Sequence, residues 1–170
     1  MIVTKYPIEY TYGQVIKIKP IFDVHAGNKH ADLAAFRRDL AACDDDTLFF
    51  GGGDLLDCVI ASDLKRYRKS ADGTEGDDIV DEQIEQMADI LMPYRDRIIG
   101  LASGNHEETI TARCGTNPAK RLCKQLGAAF LGFSGLIRLQ MRTKSGKGRT
   151  AIIRYHHGWG GGSRTQGAAA

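Results

Sequence analysis

The sequence predicts an α/β layered fold, and three observations carry that expectation. Short apolar runs alternate with stretches of helical spacing along most of the chain. Residues that cannot continue a strand, chiefly Asp and Gly, stop the apolar runs, and two alternating segments around a Gly-containing turn form a hairpin near residues 136–155.

Taken in order, Gln14 to Phe22 alternates and then turns apolar through Ile21 and Phe22, which predicts a strand ending at Asp23. Ala31 to Cys43 places Leu33, Phe36, Leu40 and Ala41 at helical spacing. Acidic Asp44 to Asp46 makes a turn before a short buried strand, Thr47 to Phe50, which Gly51–Gly53 stop and Asp54 follows. Ala61 to Lys69 reads as a basic helical stretch, and Ser70 to Asp78, rich in Gly and Asp without periodicity, as an exposed loop. Ile79 to Tyr94 recovers a helical stripe through Val80, Ile84, Met87 and Leu91, ended near Pro93. Arg97 to Ala102 is a third strand, delivering Gly104-Asn105-His106-Glu107 into a short helix. Pro118 opens a helix that runs to Leu126 and is closed by Gly127. Leu136 to Met141 and Thr150 to Tyr155 are the hairpin strands.

With 170 residues, 42% apolar and 26% charged, the chain is expected to form one domain, residues 1–170, around a sizeable core. A net charge of +2 does not by itself call for a polyanionic partner. Met1 to Gly13 carries Lys5, Pro7 and Glu9 and does not read as a secretory signal, and no stretch approaches the roughly 20 apolar residues of a membrane span. Cys43, Cys58, Cys114 and Cys123 form no CxxC pair and read as reduced core thiols, so the expected compartment is the cytoplasm, or a host cytoplasm for a phage-encoded chain.

Chemistry-bearing residues gather just after the strands, where open α/β sheets place their sites. They are Asp23-Val24-His25, Gly53-Asp54, Gly104-Asn105-His106-Glu107, and His156-His157 before Gly158. Carboxylates, an amide oxygen and imidazoles make a mixed O/N donor set, suited to Mn²⁺, Fe, Zn²⁺ or Ni²⁺ and unsuited to a soft thiolate site. Gly51–Gly53 fit a close backbone approach better than a phosphate loop, because no Lys-Ser/Thr follows them. Lys65-Arg66-Tyr67-Arg68-Lys69 interleaves an aromatic ring with cations, as a solvated helix end or as a holder of a phosphodiester backbone.

In this order the motifs resemble those of the calcineurin-like metallophosphoesterase superfamily, whose run reads DxH, GD, GNH(D/E), H and GHxH; the likeness is strongest to phage-type and bacterial stand-alone members. The resemblance implies a sandwich of two mixed β-sheets flanked by helices and a centre of two divalent metal ions, Mn²⁺ foremost. It further implies that Asp23, His25 and Asp54 hold one metal and that Asp54, Asn105 and a later histidine hold the other. For that histidine His157 is favoured, since it directly precedes Gly, with His156 a polar neighbour near the substrate or facing solvent. His106 matches the catalytic histidine that assists the leaving group, Glu107 is expected to orient an imidazole, and Asp57 either orients a ligand or begins a helix. Arg66 is a candidate substrate contact. The implied reaction is phosphodiester hydrolysis by a metal-bridging hydroxide, with DNA or RNA among the candidate substrates. The alternatives are a phosphomonoesterase or protein phosphatase, and a non-catalytic scaffold on the same fold.

The closing GHxH does not occur in Gly158 to Ala170. This departure leads to the expectation of a domain incomplete at its C-terminus, or of one whose missing histidines come from a partner chain.

Overall fold

A computed structural model describes residues 2–59 and 78–158 of the chain. Seven strands and four α-helices alternate along them. They are β1 (Ile2–Glu9), β2 (Lys17–Ile21), α1 (Leu33–Ala41), β3 (Thr47–Gly51), α2 (Ile79–Leu91), β4 (Ile98–Ala102), α3 (Asn105–Cys114), α4 (Pro118–Leu126), β5 (Ala129–Gly132), β6 (Ser134–Arg142) and β7 (Gly148–His156). A 3₁₀ segment, Met92–Arg97, joins α2 to β4.

The strands form two sheets. One runs β2-β3-β4-β5 with every neighbour parallel, and the other runs β1-β6-β7, with β1 parallel and β7 antiparallel to β6. The expected pair of mixed sheets is therefore corrected to one parallel and one mixed sheet among the described residues. Connectivity explains the difference: helices intervene between consecutive strands of the first sheet, which keeps the strands parallel, and only the β6–β7 hairpin reverses direction.

Three layers result. Phe49 and Leu101 face the helices, packing with Leu40, Ile84, Met87, Leu91, Leu122 and Leu126. Phe50, Ile99, Ala102 and Leu131 face the mixed sheet and meet Ile137, Leu139 and Tyr155. The Tyr155 hydroxyl donates to the Leu131 carbonyl, tying the two sheets together, and burial pushes that phenol up to about 12. Covered on both faces, β4 is buried at all five positions, as parallel strands in layered folds are.

Helix ends follow their local chemistry. Asn117 accepts from the Lys120 amide at the start of α4, Pro118 takes the first helical position, and Gly127 adopts φ +68° beyond its end. Asp32 caps α1 through the Ala35 amide. No helix among the described residues is long and apolar enough to cross a membrane. The basic stretch 61–69, most of the loop expected over 70–78, and the segment Trp159–Ala170 lie outside the described residues.

Candidate metal centre

Four strand ends converge on one place. Asp23 and His25 follow β2, Asp54 follows β3, Asn105 and His106 open α3 just past β4, and His157 follows β7. The loops after β2 and β3 continue side by side beyond the sheet: the Asp23 amide donates to the Gly53 carbonyl at 3.2 Å, His25 to Asp54 at 3.0 Å and Ala26 to Leu55 at 2.9 Å. This extra ladder holds an unfavourable backbone. Asp23, His25 and Asp54 have φ of +54°, +51° and +51°, and among the described residues Cys58 is the remaining non-glycine residue with positive φ. Left-handed backbone is costly for residues with a Cβ and persists where surrounding contacts over-determine it, commonly at functional sites.

His157 gives the most direct indication of a cation. Its Nδ1 lies 3.1 Å from the Gly52 carbonyl, which can only accept, so Nδ1 carries the proton. Nε2 then turns its lone pair toward Asp54 Oδ2 at 3.1 Å and Asn105 Oδ1 at 3.1 Å, two further acceptors. Three acceptors facing one another repel unless a second proton or a metal ion lies among them. Donors bound at right angles to a small divalent ion with bonds of about 2.1 Å are about 3 Å apart, which matches this spacing. The donor atoms present therefore fit a metal.

On the opposite side of Asp54 the rings of His25 and His106 meet edge to face, 4.6 Å between centroids. Both are backed by Asp57, which is 3% exposed. Asp57 Oδ1 is 3.3 Å from His25 Nδ1 and 3.6 Å from His106 Nδ1, and it accepts from Asn28 Nδ2 at 3.3 Å. The His25 contact falls short of hydrogen-bond geometry, so the buried His25 Nδ1 has no hydrogen bond among the described residues. Even so, the adjacent Asp57 raises the His25 pKa against the opposing effect of burial. Burial pushes the Asp57 carboxyl up, but His25, Asn28 and the His106 charge outweigh it and hold the group below its ordinary value. His106 Nδ1 donates to the Asp57 carbonyl, while its own amide donates to Asp54 Oδ1 at 2.9 Å. Its Nε2 thereby points toward Asp54 Oδ2, 4.0 Å away.

Glu107 does something the sequence did not suggest. Its carboxylate touches no imidazole; it accepts from the amides of Gly104 at 2.8 Å, Asp54 at 3.1 Å and Leu56 at 3.1 Å. The expected role in orienting a ring is thus corrected: Glu107, 1% exposed, clamps the loop after β3 to the start of α3. Burial pushes its carboxyl up while the Leu56 and Gly104 amides pull against that shift. A spacing signal was available, since a glutamate three residues after the N-cap is half of a capping box. Gly104 is required by the same close approach: a Cβ there would lie 2.1 Å from Asp54 Oδ1.

Among the described residues two groups of side chains could hold a metal ion, His25–Asp54–His106 and Asp23–Asp54–His157, and they share Asp54. This partition differs from the expected one, which put Asp23 with His25. Asp23 Oδ1 is 4.0 Å from His25 Nε2 but groups with His157. Of the adjacent histidines, His157 enters the cluster, whereas His156 is exposed and accepts from the Gly158 amide at 2.9 Å. Arg66 lies outside the described residues. All four cysteines are free; burial, reinforced by Glu107, pushes the nearby Cys58 thiol far up. Asn28 and Phe22 were not anticipated from the sequence; Phe22 lies nearly parallel to the His157 ring at 6.4 Å. No family model, curated protein or solved structure matches the chain.

Proposed function

We propose that the chain is a metal-dependent phosphoesterase of the calcineurin-like metallophosphoesterase type, hydrolysing a phosphodiester. The observation that carries this reading is the convergence of Asp23, His25, Asp54, Asn105, His106 and His157 from four strand ends, with three of them held at positive φ. The order of DxH, GD and GNHE along the chain adds to it.

Asp54 belongs to both side-chain groups and would serve as a ligand in each of them. Two divalent ions, Mn²⁺ first among those suited to this donor set, would neutralise phosphate charge and lower the pKa of a water. The protein's own contribution is placement. The Gly52 carbonyl fixes the His157 ring so that Nε2 faces inward. The Asp57 carbonyl does the same for His106, whose Nε2 is then the atom able to pass a proton to a departing ester oxygen. The Asp57 carboxylate also stands beside this ring, Oδ1 lying 3.6 Å from Nδ1.

Hydrolysis of bis-p-nitrophenyl phosphate with Mn²⁺ tests the reading, with elemental analysis run alongside. Asp54→Ala is expected to abolish both turnover and metal content, and His106→Ala to abolish turnover while metal is retained. Loss of metal in His106→Ala would make this residue a ligand instead. Turnover of p-nitrophenyl phosphate but not of the diester would move the reading to a phosphomonoesterase, and absence of both metal and turnover would remove the enzyme reading.

A further inference from the structure

We propose that the cavity on the His25–His106 side of the centre is a leaving-group pocket that takes a neutral, flat group of nucleoside size; this rests on the phosphoesterase reading above. The cavity measures about 610 Å³, and His25, Asp57 and His106 are part of its lining, so it opens directly onto the cluster. That volume is typical of a small-molecule site. Asp23 also lines it, whereas Asp54, Asn105 and His157 do not.

Its other surface is apolar: Phe22, Val24, Ala31 and Phe36, all half-buried. Phe22 is a fixed wall. Its ring lies within 15° of parallel to the His157 ring and edge-on to Phe50 at 6.1 Å, and a Cβ on Gly52 would collide with it at 1.9 Å. A rigid aromatic face beside aliphatic side chains suits a planar ring.

Charge narrows the choice. Among the described residues no Lys or Arg lines the cavity, while Asp23, Asp32 and Asp57 do. A second phosphate placed there would find no cationic side chain among the described residues, which disfavours a nucleoside di- or triphosphate or a longer phosphate backbone in this pocket. Polar recognition falls to the exposed His30 ring, which forms no hydrogen bond among the described residues. The Asn28 side chain is already committed to Asp57 and the His30 amide.

The chemistry then has a direction. A water oxygen bonds to phosphorus, the P–O bond to the group in the pocket breaks, and the departing oxygen takes a proton on the side where His106 stands. One water is consumed, releasing an alcohol and a phosphomonoester.

The test compares a dinucleoside monophosphate with the methyl ester of the same nucleoside monophosphate, both with Mn²⁺. The dinucleoside is expected to be favoured in kcat/KM by about tenfold or more, the scale on which apolar pocket contacts discriminate. Ala31→Trp, which fills the cavity, and Phe36→Ala, which widens it, should each bring that ratio toward one. A ratio near one in the unsubstituted chain, or one that neither substitution changes, would overturn the proposal while leaving the phosphoesterase reading intact. If neither ester nor bis-p-nitrophenyl phosphate is hydrolysed, the enzyme reading fails separately. Calorimetry of thymidine with the metal-free chain then decides the pocket: binding lost in Ala31→Trp sustains it, and no binding overturns it.

Discussion

The parallel sheet and the mixed sheet put their strand ends to different uses. β4 is buried at every position and β3 at four of five. The loops that follow β2 and β3 hold three cluster residues in left-handed backbone, and α3 past β4 supplies two more. β7, by contrast, alternates between exposed and half-buried positions along most of its length and brings only His157 to the cluster. Strained backbone is found where the loops beyond two neighbouring parallel strands, the edge strand β2 and the buried β3, continue the hydrogen-bond ladder. A half-solvated strand contributes a ligand whose ring is fixed by one carbonyl instead.

Glu107 provides the largest test of this contrast. Glu107→Ala leaves the amides of Gly104, Asp54 and Leu56 buried without their acceptor. Each orphaned amide is costly, so a loss of about 4 kcal/mol in urea unfolding is expected, together with loss of Mn²⁺ binding. A change smaller than that of an ordinary surface substitution would show that the clamp does not hold the loops.

Next in size is a paired measurement across the sheets. Leu101→Ala, at a residue 1% exposed in the parallel sheet, should cost about 3 kcal/mol. Ile152→Ala on β7, 63% exposed, should cost less than about 0.5 kcal/mol. Similar costs would mean that the mixed sheet is as enclosed as the parallel one, by a surface beyond the described residues or by another chain.

His157→Ala should separate binding from stability. Without metal, its Nε2 faces two acceptor oxygens and gains little from either. A stability change under about 1 kcal/mol is therefore expected, with Mn²⁺ affinity falling by about tenfold or more. A large stability loss with unchanged metal affinity would place His157 in the packing and outside the centre.

Legibility in the sequence followed the same division. α4 was readable at both ends, because Asn117, Pro118 and Gly127 act locally. The strands before Asp23, Asp54 and Gly104 were readable from their apolar runs, and with them the placement of the candidate ligands. β1 was not: Lys5, Pro7 and Glu9 interrupt it on the exposed face, and it pairs with β6, whose register partners lie more than a hundred residues away. Proline is tolerated there because β1 is an edge strand. β5 has four residues, too few to show a period. The assignment of strands to two sheets depends on such distant pairings, as does the role of Glu107, whose partners at Asp54 and Leu56 are separated from it by about fifty residues of chain. A carboxylate beside a histidine suggested a ring contact, and only the folded loops show that amides are closer.

The smallest expected effect bears most directly on whether the loops are strained for function. Asp23 sits at φ +54° with its side chain 60% exposed, so its removal sacrifices little packing. Asp23→Gly places at this position the residue that adopts positive φ without a steric penalty, and should stabilise the metal-free chain by about 0.5–1 kcal/mol. The same substitution removes a donor from the Asp23–Asp54–His157 group and should weaken Mn²⁺ binding. Opposite signs for stability and metal affinity are what a backbone held in an unfavourable conformation for the sake of a ligand requires. If glycine destabilised the metal-free chain, the Asp23 side chain would be contributing to the fold itself, and the difference between the two sheets would be one of burial alone.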